Sequence, residues 1–329
     1  MVRVMKFLKV LISIIVVIAV FVVTLFATLV YLPNDIKGEY VVDKYETEDK
    51  IKVILDCDNS MGTFWEVDDG MVLSYLINKP EADLLGVTTT FGNRTYDHEQ
   101  TVKMLEQINR TDIPLFKGEQ TVREGITDAA IFLAETVAKY PGEVTIIAAG
   151  PVGNLAAAHE YDKNFFDNVK EITVMGGYTQ DLSLGSKDIP ELNLSADYLA
   201  TYDMVTSGAK VTIMTGQACL DAPFYYNDIR KLENFPANWK FFLVFWTGLQ
   251  KLGLGNDYFV VWDMLPVSYV FHPEFFEDNF YNLQSTKKEL SKGMLKISKI
   301  NPGHEVNIPD GIADKDGFFK DMINVLNMQ

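Results

Sequence analysis

Between residues 52 and 214 this chain alternates short apolar runs with stretches of helical periodicity, and that alternation restricts its fold more than any other feature. The runs 52–55, 84–90, 113–116, 144–149, 171–175 and 211–214 read as strands. Between them, 70–77, 98–108, 127–140, 152–159 and 196–207 read as helices. Strand and helix in turn predict an α/β domain with a single open, mostly parallel sheet covered by helices on both faces. The later part is more helical, with helices expected at 239–252, 263–271 and 317–326. No internal repeat or second linker interrupts 51–329, so we read one domain there. Ligands of such sheets bind outside the C-terminal strand ends.

The first 50 residues stand apart. Residues 1–9 form a basic stub with Arg3, Lys6 and Lys9. Residues 10–32 carry no charge and only Ser13, Thr24 and Thr28 as polar interruptions. As a helix this span would measure about 35 Å, enough for a hydrocarbon core of about 30 Å. It exceeds the apolar core of a cleaved signal peptide, and Ala27-Thr28-Leu29 is a poor cleavage site. We expect a single-pass transmembrane helix in the cell membrane, N-terminus cytoplasmic, with the domain beyond the 33–50 linker extracytoplasmic. The net charge of -16 speaks against nucleic-acid binding, which needs a basic patch. Cys57 and Cys219 make no disulfide framework and read as small buried side chains. Sequons at Asn93, Asn109 and Asn193 fall partly where we place the active site, which suggests a bacterial chain without glycans there.

The first expected strand runs into Asp56-Cys57-Asp58, and Asp68-Asp69 follow just before an apolar helical run. Acids at i and i+2 leave the same face of a strand. Four carboxylates at one strand end repel each other, and a hard cation with oxygen ligands, calcium or magnesium, is the simplest neutraliser. The plainer reading is an acidic loop with Asp68 as a helix N-cap, which accounts for one of the four. Other strand ends add Thr88 to Asn93, Gly150 to Asn154, Met175-Gly176-Gly177 and then Glu191-Leu192-Asn193; Trp262-Asp263 opens a later helix. Singly these are ordinary turns and caps. Together they describe an acidic, amide-lined pocket.

These pieces resemble, in order and spacing, the inosine–uridine preferring nucleoside hydrolases. That family opens with a strand running into Asp-x-Asp-Pro-Gly-x-Asp-Asp, whose ends match Leu55-Asp56-Cys57-Asp58 and Asp68-Asp69. Gly86 to Asn93, Arg110 to Leu115, Ala148 to Ala156, Val174 to Gly177, Glu191 to Asn193 and Asp263 continue the likeness. The resemblance implies calcium-dependent hydrolysis of the N-glycosidic bond of a small-molecule nucleoside. It implies that Asp58, Asp69 and Asp263 hold the ion through carboxylates and Gly153 through its carbonyl. Asp58 would also take a proton from the attacking water. Asp68 and Asn193 would hold ribose hydroxyls, with Asn93 beside them in the catalytic centre. Glu191 would grip the 5′ side, and Asp56 would support the cluster. Family members often form dimers or tetramers, which makes a homo-oligomer an expected partner state.

The chain departs from the pattern in several places. Residues 59–67 form a long insertion between the acidic pairs, and Phe64 and Trp65 in it either roof the pocket or pack the loop down. Leu184-Gly185-Ser186-Lys187-Asp188 stands where the family has an Asn upstream of its Glu. Gly153 replaces a Thr, which a backbone ligand tolerates. Trp262 replaces the His of the inosine–uridine enzymes and resembles the Trp that stacks on the base in purine-preferring members. The four histidines, His98, His159, His272 and His304, read as surface or linker residues. Two other readings stay open. One is a binding protein that keeps ribose or calcium affinity without turnover. The other is a haloacid-dehalogenase-like phosphatase built on Asp56-x-Asp58-x-Ser60, which needs a phosphate-binding Lys.

Overall fold

The computed structural model describes residues 47–328 except 62–66, 91–96, 119–124 and 185–186, together with Ser13, residues 15–19 and Val22. The expected 10–32 membrane span, most of the 33–50 linker, Phe64, Trp65 and Asn93 therefore lie outside the described residues. Among the described residues no helix is long and apolar enough to cross a membrane.

Strands β1 (Ile51–Cys57), β2 (Ala82–Thr89), β3 (Leu115–Lys117), β4 (Thr145–Ala149) and β5 (Glu171–Met175) alternate with helices, as the apolar runs predict. A short hairpin, β6 (Ser183–Leu184) with β7 (Lys187–Asp188), follows β5. Then come β8 (Val211–Met214), a two-stranded ribbon of β9 (Pro223–Tyr225) and β10 (Tyr258–Val260), and β11 (Phe280–Leu283), β12 (Ile297–Ser298) and β13 (His304–Asn307). The main sheet runs β12-β11-β13-β8-β5-β4-β1-β2-β3. From β13 to β3 every pairing is parallel; β11 is antiparallel to both of its neighbours. The open, mostly parallel sheet expected from sequence is present. The antiparallel extension at the β13 edge was not anticipated.

Alternation along the central strands separates two cores. Val53, Leu55, Cys57, Ile147 and Ala149 face one cluster, which helices Asp68–Asn78, Ala237–Leu254, Met264–Phe271 and Lys315–Leu326 complete. Ile54, Ile146 and Ala148 face the other, under helices Asp128–Lys139, Gly153–Tyr161 and Tyr198–Thr206. Each fully buried aliphatic side chain stabilises by about 1.5–3 kcal/mol. Local signals set several helix ends. Thr127 Oγ1 accepts a bond from Ala130 N, Asp197 Oδ1 accepts one from Ala200 N, and Gly255, at φ 81°, closes Ala237–Leu254 in the left-handed conformation.

The strand order reverses between β1 and β4. Helices leaving those two strands depart in opposite directions, which opens a crevice at their C-terminal ends. The register brings the ends level: Asp56 lies opposite Thr88 on β2 and Ala148 on β4, and Cys57 opposite Thr89 and Ala149.

Candidate active site

β1 ends at Cys57, so Asp56 belongs to the pleated strand and Asp58 to the turn beyond it. The two acids accordingly differ in their surroundings. Asp56 Oδ1 accepts hydrogen bonds from Thr88 Oγ1 (2.6 Å) and Asn154 Nδ2 (2.7 Å), and Asn154 Nδ2 also reaches Thr89 O (3.1 Å). Burial pushes the Asp56 carboxyl up to about 7, against the opposing pull of those two donors. Asp58 instead borders a cavity of about 460 Å³ with Asp68 and Asp263.

The long loop after Asp58 is held at both ends. Asn59, fully buried, donates to Thr101 Oγ1 (3.0 Å) and accepts from Met61 N (3.0 Å). Met61 packs so closely on Gly70 that a Cβ there would lie 2.5 Å from its own. The chain then enters helix Asp68–Asn78 with Asp68 and Asp69 in the first turn. The N-cap of this helix is Val67, so Asp68 is not the cap residue. The acids gain instead from the helix dipole, whose positive end favours carboxylates. Asp263 N donates to Asp68 Oδ2 at 3.2 Å, which draws the start of Met264–Phe271 onto the same spot. Asp263 occupies the N-cap position there but makes no side-chain cap bond.

Asp68, Asp69 and Asp263, all buried, each offer a carboxylate oxygen within 4.8 Å of the others. No basic side chain is present among the described residues lining the cavity. Three gathered carboxylates with only oxygen to offer are a donor set for a hard divalent cation. Two thiols register the same field. Burial first, then Asp69, Asp56 and Asp58, raises the Cys57 pKa; burial, then Asp263 and Asp68, raises that of Cys219. Both are buried and neutral, as expected, and neither is an activated nucleophile.

The structure thus brings Asp69 and Asp263 together with Asp68, and puts Asp58 on the same cavity. Gly153 is buried at the start of its helix and borders a different cleft, with His159 and Lys163. Glu191, Asn193 and Trp262 all line the acidic cavity. Asn193 Nδ2 donates to Met175 O at 3.1 Å. Glu191 Oε1 accepts from the backbone N–H groups of Gly177, Asn193 and Leu194, and Oε2 from that of Ser195. Trp246 and Gln250 were missed by sequence reading. They come from Ala237–Leu254, more than 150 residues beyond Asp58, Asp68 and Asp69, and no local motif marks them.

Residues 53–320 match the family described as inosine-uridine preferring nucleoside hydrolase. Uridine nucleosidase 1 of Arabidopsis thaliana is 33% identical over 214 residues, which cover 56% of this chain and 61% of that protein. The chain therefore spans somewhat less than two thirds of this relative. Among solved structures, a plant nucleoside hydrolase (PpNRh1) superposes with a TM-score of 0.73 at 23% identity, covering 84% of this chain and 99% of that one. A purine-preferring ribonucleoside hydrolase from Gardnerella vaginalis superposes with a TM-score of 0.73 at 20% identity, covering 84% and 98%. At these identities the two structures establish a shared fold.

Proposed function

The chain belongs to the inosine-uridine preferring nucleoside hydrolase family, and on that premise we propose that it hydrolyses the N-glycosidic bond of ribonucleosides, purines preferred, with calcium bound, giving free base and ribose. The observation that carries the reading is the buried Asp68–Asp69–Asp263 cluster beside Asp58, on a cavity whose other walls are largely apolar. Cavities of this size take small ligands, with a few polar groups fixing orientation.

Asp69 and Asp263, with Asp58, would hold the ion. Bound there, calcium would act as a Lewis acid that fixes the ribose diol and activates water. The remaining work belongs to side chains. Asp68 and Asn193 hold ribose hydroxyls and keep the sugar against the acids. Asp58 accepts the proton of the attacking water as general base. Departure of the base leaves an oxocarbenium-like sugar, which the surrounding carboxylates stabilise. Asp56, tied to Thr88 and Asn154, sets the end of β1 from which Asp58 departs. Trp262 lies on the cavity beside Asp263 and offers a π face to a purine, with Trp246 a second indole on the same cavity. The uncharged 10–32 run after a basic stub supports anchoring in the cell membrane with this domain on the outer side.

Ribose release by the full chain over purine and pyrimidine nucleosides, with calcium and with chelator, tests the reading. Calcium-dependent release, faster from purines, is expected. Calcium binding with no release from any nucleoside would replace the enzyme by a binding protein on the same fold.

A further inference from the structure

Asp68 and Asp69 open helix Asp68–Asn78, and Asp263 stands at the start of helix Met264–Phe271. These two helices pack on each other and touch at both ends. At the acidic end Asp263 N donates to Asp68 Oδ2 at 3.2 Å. The far end lies about 16 Å along the first helix, at a rise of about 1.5 Å per residue. There Lys79, the C-cap of the first helix, meets His272, the C-cap of the second, with Nζ 2.8 Å from Nε2. Helix Lys315–Leu326 closes this end. Asp321 Oδ1 lies 2.8 Å from Lys79 Nζ and 3.2 Å from His272 Nε2, and Asp321 Oδ2 accepts from Tyr75 Oη. The other ring nitrogen of His272 lies 2.8 Å from Glu274 Oε1, and Phe275 stacks on the imidazole. Asn78 Nδ2 adds bonds to Val325 O and Met328 O.

None of Lys79, His272 and Asp321 lines the acidic cavity. They reach it only through the helices that end on them. A short packed helix slides as a rod, so a shift at its far end is carried to its near end. Apolar contacts between the helices, such as Tyr75 with Phe271, tolerate a small slide. Charge-assisted hydrogen bonds do not, since they weaken steeply with distance and angle. Buried polar groups are best attested as devices that fix register. The near end works against that register, because Asp68, Asp69 and Asp263 repel one another while no cation is bound. We propose that the Lys79–His272–Asp321 clamp preorganises the cation site, fixing the register of the two helices and so holding Asp68 and Asp69 against Asp263. Its members are positioning residues that act through the helices. The inference rests on the reading of that cluster as the cation site of a hydrolase.

The experiment measures the calcium Kd of the full chain by calorimetry, beside unfolding in chelator. In Lys79→Met combined with Asp321→Leu, a matched apolar pair should keep stability near that of wild type. Its calcium Kd should nevertheless rise about tenfold, the scale on which supporting residues act at metal sites. A Kd within about twofold of wild type in this stable double variant overturns the proposal. His272→Ala leaves the Lys79–Asp321 pair in place and frees only the helix behind Asp263. It too should weaken calcium by about tenfold, and an unchanged Kd would remove His272 from the clamp and overturn the coupling. Val137→Ala removes a fully buried group from helix Asp128–Lys139, in the other core, and should lower stability with calcium affinity intact. Equal weakening of calcium in that variant would mean that affinity merely follows stability, and would also overturn the proposal. A wild-type chain that binds no calcium and releases no ribose overturns the hydrolase reading itself; calcium binding unchanged by the clamp variants overturns this inference alone.

Discussion

The two ends of helix Asp68–Asn78 handle buried charge in opposite ways. At its N-terminal end Asp68 and Asp69 meet Asp263, and no basic side chain is present among the described residues lining the cavity that Asp68 and Asp263 border. At its C-terminal end Lys79, with a side chain only 1% exposed, is bonded to Asp321 at 2.8 Å. Tyr75 Oη donates to the same carboxylate, and His272 Nε2 lies 2.8 Å from Lys79 Nζ. His272 was expected at the surface or in a linker and instead belongs to this half-buried network. A buried ion pair completed inside the chain holds Asp68–Asn78 against Lys315–Leu326. Buried carboxylates gathered at one point suit the binding of a cation better than they suit stability.

The contrast breaks first at Lys79. Lys79→Met should destabilise the domain by about 3–5 kcal/mol in denaturant unfolding, because it leaves Asp321 buried without its cation. Combining it with Asp321→Leu should recover most of that loss, since a matched apolar pair is often neutral. If the single variant were as stable as wild type, the two ends would not differ in the way described.

At the other end the sign should reverse. Asp69→Asn removes one of three repelling carboxylates, so in chelator its stability should equal or exceed wild type. Activity should nevertheless fall by roughly a hundredfold or more, as when a preorganised electrostatic group is lost. Calcium at about 100 times its Kd should stabilise wild type by about 2.7 kcal/mol and the variant far less. Thermal unfolding with and without calcium makes the measurement, and equal calcium shifts in both proteins would remove Asp69 from the ion site.

The smallest effect concerns acid. Burial raises the pKa of Asp321, but its bonds to His272, Lys79 and Tyr75 outweigh that and hold it below the ordinary value of 3.8. Its folded-state pKa is depressed, so its stabilisation is present above the unfolded value and lost as pH falls from about 4 through the folded value. At matched neutral-pH stability, the acid unfolding midpoint should therefore move to lower pH in Asp321→Asn, which has no such stabilisation to lose. An unchanged midpoint would mean that Asp321 does not govern this window.

Much of this architecture is legible without coordinates. β5 and β8 are apolar over nearly their whole length and bounded by polar or glycine residues, and their observed limits are the expected ones. β11 and β13 escaped because they lie towards the edge of the sheet and are half solvated: Phe280 is exposed, as are His304 and Glu305. Their pairing is satisfied by neighbours distant in the chain, not by a local apolar pattern. The acids were legible as chemistry, since carboxylates crowded at a strand end have few other uses.

What the chain alone determined is therefore the layered α/β architecture and the set of acids, because period-2 and period-3.6 burial and turn chemistry are local properties. Tertiary structure decided how those acids are divided: Asp56 into a bond with Thr88 and Asn154, and Asp68, Asp69 and Asp263 into one cluster. It also decided that Trp246 reaches the cavity and that Glu191 clasps its own loop. These outcomes depend on where β1 ends and on which distant helix crosses the sheet's open crevice. Packing between elements sets both, and no spacing within one element encodes them.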